Sequence, residues 1–235
     1  MSQTVAELGE FGLIAAVAQR LGVSDPHAVP VGIGDDSAVV MATGNRVVAC
    51  VDVLTEGVHF RTDWSSANDV GHKSAAANLA DIYAMGADPT ALLVGLIIPP
   101  ETQADWVLEL ADGLAQEAAL VGAHVVGGDI VRGEKITISV TALGKLDDRQ
   151  AILRSGAQVN DVVAVAGKLG YSAAGLQMLQ RGFRSPRNLV NAHRAPTPPY
   201  KLAVAGRHAH SMIDVSDGLV SDLGHIAVAS GVAIE

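Results

Sequence analysis

Aspartates recur along this chain at the ends of apolar runs or just beyond them. Asp52 closes the run Val47-Val48-Ala49-Cys50-Val51, Asp129 follows Val125-Val126-Gly127-Gly128, and Asp214 follows Met212-Ile213, with Asp217 three residues on. Asp35-Asp36 follows Gly34, and Asp81 lies in an alanine-rich stretch. A strand end presents a side chain rigidly, and open α/β sheets bind ligands there. Carboxylates gathered in space repel one another and need cations. Hard oxygen donors suit Mg²⁺ or Ca²⁺, and Mg²⁺ commonly shares its shell with substrate phosphates. The chemistry this set supports is phosphoryl transfer from a nucleotide. Each residue also has a plainer reading. Asp35-Asp36 and Asp129 suit turns, Asp81 suits a solvated helix face, and Asp217 suits a cap for a helix beginning near Gly218. Their recurrence carries the chemical reading.

Weaker signals surround them. Gly167-Lys168-Leu169-Gly170 opens a predicted helix, whose N-terminus suits an anion, but it is not a Walker A sequence. Gly32-x-Gly34 is too short for a dinucleotide fingerprint. His59 is a candidate substrate contact, although a lone histidine is more often a structural hydrogen bonder. His208 and His210 have no third ligand placed to suggest zinc. No Ser-His-Asp arrangement is supported by spacing.

The elements that must position these residues alternate. Helical spacing of Leu8, Phe11, Ile14, Ala15 and Ala18 predicts a helix over 7–22, ended by Gly22. The stretch 29–41 reads as a turn entering a strand. A Val-rich strand is predicted over 46–54, and a helix of small residues over 69–85, stopped by Gly86 and Pro89. A strand over 91–98 precedes a helix over 102–121, opened by a capping box at Thr102 and Asp105. A short strand over 124–126 leads into Gly-Gly-Asp, and a further strand covers 136–144. Beyond the polar segment 146–150 come a strand (161–166), a helix (172–180), a turn-rich stretch (195–199), a strand (211–214) and a helix (219–229). The pattern predicts an α/β (α+β) protein with a domain boundary near 147.

Composition narrows the class. Hydrophobic residues make up 49% of the 235 residues and aromatics only 3%, so the core must be built from Ala, Val, Leu and Ile. A net charge of −9 argues against duplex nucleic acid and against a polybasic membrane anchor. An acidic protein still binds an anion such as ATP when metal ions carry the positive charge. The single cysteine, Cys50, permits no intrachain disulfide and fits a reducing cytoplasm. Met1 to Glu10 carries no basic n-region and no long apolar h-region, so a secretory signal is not expected, and no apolar run reaches the roughly 20 residues that span a bilayer.

Taken in order, the motifs resemble those of thiamine-monophosphate kinases. They are Gly32-Ile33-Gly34-Asp35-Asp36, Asp52-Val53-Leu54-Thr55-Glu56-Gly57-Val58-His59-Phe60, Asn78-Leu79-Ala80-Asp81-Ile82-Tyr83-Ala84-Met85-Gly86-Ala87, Gly127-Gly128-Asp129, Arg154-Ser155-Gly156-Ala157 and Asp214-Val215-Ser216-Asp217-Gly218-Leu219. The resemblance implies ATP-dependent phosphorylation of thiamine monophosphate to thiamine diphosphate, by in-line attack that needs no general base. It implies the fold shared with aminoimidazole ribonucleotide synthetase and selenophosphate synthetase. An N-terminal sheet-and-helix domain (1–147) would pair its sheet across a homodimer, and a C-terminal α+β domain (148–235) would be partial, because the family chain is longer. Carried over by position, Asp36, Asp52, Asp81, Asp129, Asp214 and Asp217 are the implied Mg²⁺ ligands, with Asp35 a lesser candidate. Gly128, Asp129, Arg154 and Ser216 are the implied nucleotide contacts, and His59 the implied contact to thiamine monophosphate. Two departures stand out. Cys50 and Val51 occupy places where the family often carries hydroxyl residues, and the family's later Gly-Gly-Glu-Asp segment and terminal aromatic do not occur before Glu235. The competing readings are an aminoimidazole ribonucleotide synthetase-like or selenophosphate synthetase-like enzyme, a non-catalytic divalent-metal module and a structural dimerisation domain.

Overall fold

The computed structural model describes residues 3–22, 25–29, 40–41 and 46–235. The expected strand over 29–41, and Asp35 and Asp36 with it, fall mostly or wholly outside these residues.

The N-terminal helix comes in two pieces, α1 (Val5–Leu8) and α2 (Glu10–Leu21), separated by Gly9 at φ 74°. A capping box fixes its start: the Thr4 hydroxyl accepts from Glu7 N–H at 3.2 Å, and the Glu7 carboxylate accepts from Thr4 N–H at 2.8 Å. Next come β1 (Val47–Thr55), α3 (Ala67–Ala84), β2 (Asp88–Ile98), α4 (Ala104–Ala119), β3 (His124–Arg132) and β4 (Thr137–Lys145). The strands form one sheet in the order β1-β4-β2-β3, with β2 and β3 parallel and the other neighbours antiparallel.

One sheet face carries the core. Leu54, Leu92, Leu96, Ile138, Val140 and Ala142 are buried there, with Val70, Leu79 and Ile82 of α3 and Val107, Leu110 and Leu114 of α4 in the same cluster. The small residues of α3 serve helix packing. A Cβ added to Gly71 would lie 2.2 Å from the Leu110 carbonyl oxygen, and one added to Gly113 of α4 would lie 2.1 Å from that of Asn68. The two backbones therefore approach more closely than any side chain allows. The opposite face is open. Strand alternation turns Val47, Val51, Val53, Leu93, Ile97 and Val131 outward, and all are exposed.

The capping box expected at Thr102 is not formed. Helix α4 starts at Ala104 with Gln103 as N-cap, lacking a side-chain cap bond, while Thr102 uses its backbone to bind Pro99 and Val5. Ser66 and Asp69 form such a box instead, starting α3 two residues earlier than its apolar pattern suggests.

After Lys145 the regular elements are all helical: a 3₁₀ turn (Arg154–Gly156), α5 (Tyr171–Gln180), α6 (Arg187–Arg194), α7 (Tyr200–Ala205), a second 3₁₀ turn (Gly206–His208) and α8 (Leu219–Ser230). The strands expected over 161–166 and 211–214 are absent as strands. An alternating apolar pattern supplies a face but not a partner, and neither segment has a ladder neighbour among the described residues; Val162 is 90% exposed. Helices α6 and α7 were not legible, because α6 has few apolar residues and α7 follows a proline-rich turn. They dock on the sheet unit through polar contacts. Arg194 of α6 pairs with Asp69, and the Tyr200 hydroxyl of α7 donates to the buried Glu117 carboxylate at 2.5 Å; Arg207 of the second 3₁₀ turn and Arg149 of the segment after β4 both pair with Asp88.

Candidate active site

Strand β1 and helix α3 bring two of the aspartates together. The Asp52 N–H donates to Asn78 Oδ1 at 3.1 Å, and Asn78, fully buried, is anchored by its Nδ2 donating to the Ser74 carbonyl at 2.9 Å. Asp81 lies three residues past Asn78, on the same side of the helix. Burial first, and then the charges of Asp214 and Asp52, push the Asp81 carboxyl up to about 6. Asp214, from the segment before α8, is raised by burial, then by Asp222, with Asp52 adding to it. The Arg154 guanidinium pulls both back down. These three carboxylates thus share one electrostatic environment although they come from remote parts of the chain. Such mutual repulsion is what a bound cation relieves.

Cys50 projects into the same environment. Burial, and then the Asp81 charge, push its thiol up to about 12, so it stays protonated and is no anionic ligand. Among the described residues no group of three or more His, Cys, Asp or Glu is placed to hold a metal by itself. Mg²⁺ sites of the kind that use one or two carboxylates complete their shell with water and substrate phosphates.

The remaining predicted residues fall elsewhere. Asp129 does not follow a short strand; β3 continues through Gly127-Gly128-Asp129 to Arg132. Its register places it in the row Val53–Ser139–Gly95–Asp129, next to the row holding Asp52 and Val140. Alternation sends adjacent rows to opposite faces, so exposed Asp129 belongs with the open face and Asp52 with the helix-covered one. Gly128 is held to glycine by packing: an added Cβ would lie 1.9 Å from the Val94 carbonyl oxygen. Asp36 lies outside the described residues.

Asp217 is exposed and does not cap α8 with its side chain. Asp222, one turn into the helix, reaches back instead. Its Oδ2 accepts from the N–H groups of Ser216, Asp217 and Gly218 at 3.0, 3.2 and 3.1 Å. Ser216 is therefore held by its backbone, and its side chain is exposed. The Arg154 carbonyl accepts from the Ser230 and Ser211 hydroxyls at 2.7 and 3.1 Å, fixing the arginine's backbone to both ends of the α8 segment.

Residues 34–146 match the family described as AIR synthase related protein, N-terminal domain. Thiamine-monophosphate kinase of Mycobacterium tuberculosis is 47% identical over 236 aligned residues, covering 100% of this chain and 70% of the relative. The chain belongs to the thiamine-monophosphate kinase family. Solved structures of the family agree. The kinase from Stenotrophomonas maltophilia superposes with a TM-score of 0.81 at 36% identity, covering 93% of this chain and 71% of that one. The structure of AaThiL complexed with AMPPCP and TMP superposes at 0.76 with 32% identity, covering 98% and 73%.

Within this kinase fold, sequence reasoning missed two buried polar groups, Asp222 and Glu117, and the half-buried Lys73. Asp222 could have been suspected from an acidic residue in the first turn of a helix that opens with glycine. Glu117, which accepts from Tyr200 and lies 2.9 Å from His72 Nδ1, has no local signal, because its partners come from α3 and α7. Lys73 has none either; its ammonium donates to the His59 carbonyl at 2.8 Å.

Proposed function

We propose that this chain phosphorylates thiamine monophosphate with ATP, yielding thiamine diphosphate by direct in-line transfer. The observation that carries the reading is the electrostatic environment shared by Asp52, Asp81 and Asp214, on which the Arg154 charge also acts, in a member of this kinase family. The AaThiL structure with an ATP analogue and TMP supports the same substrates.

Transfer between two phosphates asks for positioning and charge neutralisation rather than covalent chemistry. Two unit charges about 4 Å apart repel by roughly 4 kcal/mol at an effective dielectric of 20. Asp52, Asp81 and Asp214 fit Mg²⁺ as hard oxygen donors whose own repulsion calls for a cation. Bound there, Mg²⁺ would offset the repulsion between the phosphates. Arg154 would contact the nucleotide from the side its charge already occupies. The attacking phosphate is largely ionised near neutral pH, so no side chain is needed to take its proton. Asp36, Asp129, Asp217, Gly128 and Ser216 enter as metal or nucleotide contacts through the family resemblance, Asp129 from the open-face side of β3. His59 would contact thiamine monophosphate. In this reading residues 1–147 and 148–235 are two domains of a cytoplasmic enzyme, and the open apolar face of the sheet packs against a second copy. Among the described residues no helix is long and apolar enough to cross a membrane.

The test is ADP release with thiamine monophosphate set against acceptors of the synthetase relatives. Turnover with thiamine monophosphate alone is expected. Asp52→Asn should lower it by about 100-fold or more, the scale of losing one electrostatic contact to the reacting group, with an unchanged circular dichroism spectrum. Wild-type turnover in that variant would refute the assignment.

A further inference from the structure

Lys73 sits on α3 in a setting that its charge makes costly. Its ammonium is desolvated, which lowers its pKa to about 8. No carboxylate pairs with it among the described residues. Asp69, one turn earlier, is taken by Arg194, and Glu117 by His72 and Tyr200. The titratable groups facing it are His59 from the loop after β1 and His193 from α6, whose Nδ1 lies 3.1 Å from the Ser172 hydroxyl. His193 is itself lowered to about 4, by burial and then by the Lys73 charge, so it offers no counter-ion. Among the described residues, the acceptor that Lys73 finds is the His59 carbonyl.

His59 is held from the other side as well. Its Nδ1 accepts from the Thr55 N–H at 3.0 Å. A ring nitrogen that accepts leaves the proton of the neutral imidazole on Nε2. The loop between is tied by Gly57 N–H donating to the Phe60 carbonyl at 2.8 Å, with Gly57 at φ 83° and Phe60 buried as an anchor. The ring is exposed, with Nε2–H available. The Lys73 backbone stands well apart from that of Asp81 along α3, and its ammonium is directed to the His59 carbonyl. Lys73 precedes Asp81 by eight residues on one helix, a rise of about 12 Å, and helical side chains lean toward the N-terminus, away from Asp81.

We propose that Lys73 is a positioning residue for substrate recognition: it fixes the loop over residues 56–60 so that His59 presents an Nε2–H donor to a hydrogen-bond acceptor on thiamine monophosphate. This rests on the reading that His59 contacts thiamine monophosphate. A bound ammonium here does structural work on a carbonyl, and the consequence appears at the imidazole.

Steady-state kinetics with each substrate varied separates the possibilities. Lys73→Met should raise KM for thiamine monophosphate about tenfold, the scale of one lost polar contact, while kcat and KM for ATP change less than about twofold. Lys73→Arg keeps a donor and should recover most of the loss. His59→Ala should raise the same KM, and the double variant should be no worse than His59→Ala, since the two act as one unit. The ¹⁵N spectrum of His59 should show a single Nε2–H tautomer in the wild type and exchange in Lys73→Met. If His59→Ala raises KM while Lys73→Met does not, the positioning role is wrong and the proposed function stands. If His59→Ala leaves KM unchanged, the substrate contact itself is wrong and the proposal falls with it. Equal losses in kcat and in KM for both substrates would mark Lys73 as a general stabiliser and overturn the proposal, whatever the spectrum shows.

Discussion

Replacing Asp81 with asparagine should stabilise the metal-free protein while destroying its activity. In the folded chain the Asp81 carboxyl is raised from 3.8 to about 6. The folded state therefore holds a proton that the unfolded chain releases near pH 4. Stability falls as pH rises from about 4 to about 6, and the penalty is fully present above that window. Fully realised, the shift corresponds to about 3 kcal/mol. Asp81 is only partly buried, so water screens some of it, leaving about 1–2 kcal/mol. Asparagine has similar shape and cannot ionise, so it removes the penalty. For a chain of this size each kcal/mol moves the melting temperature by about 2–4 °C. Thermal denaturation in chelator at pH 7.5 should place Asp81→Asn about 2–8 °C above wild type, and the gap should close near pH 4.5, where the wild-type carboxyl is protonated. Added Mg²⁺ with an ATP analogue should stabilise wild type and leave the variant nearly unmoved, because ligand binding raises stability only where a site exists. A variant that melts at or below wild type at pH 7.5 in chelator would refute the view that Asp52, Asp81 and Asp214 crowd one another.

Two further outcomes follow from other parts of the molecule. Asp222→Ala removes the acceptor shared by three backbone N–H groups, and should cost about 1–3 kcal/mol and raise KM for ATP by loosening the Ser216 segment; denaturant titration and kinetics that match wild type would disprove that role. Val51→Glu places a charge in the middle of the open sheet face, where Val51 is 58% exposed within one chain. Analytical ultracentrifugation should find wild type dimeric and the variant monomeric with its fold intact, and an unchanged sedimentation coefficient would exclude this face as the contact.

Much of the sheet unit was legible before any coordinates, and the reason is local. The Val-rich run of β1, the alternation of β4 and the helical spacing of α3 and α4 each encode a face, and a face suffices to name an element. Legibility failed where a partner decides. The segment 161–166 has the composition of a strand and no ladder. Thr102 and Asp105 have the spacing of a capping box, yet backbone bonds to Val5 and Pro99 take Thr102 into a different turn. Asp217 had the right place for a helix cap, and Asp222 took the task because a buried carboxylate needs several donors and found three in adjacent backbone groups.

For this protein the sequence alone determined the residue types: a set of widely spaced aspartates, a glycine-permitted close packing of two helices, and motifs in the order its family shares. Tertiary structure decided which of those residues meet. Strand alternation is a two-way choice repeated at every residue, and the register of the assembled sheet turned Asp52 toward α3 and Asp129 toward the open face. Long-range packing then brought the charges of Asp214 and Arg154 to act on Asp81, a coupling no local pattern records. Electrostatic interaction depends on distance through space, and distance along the chain carries almost none of that information.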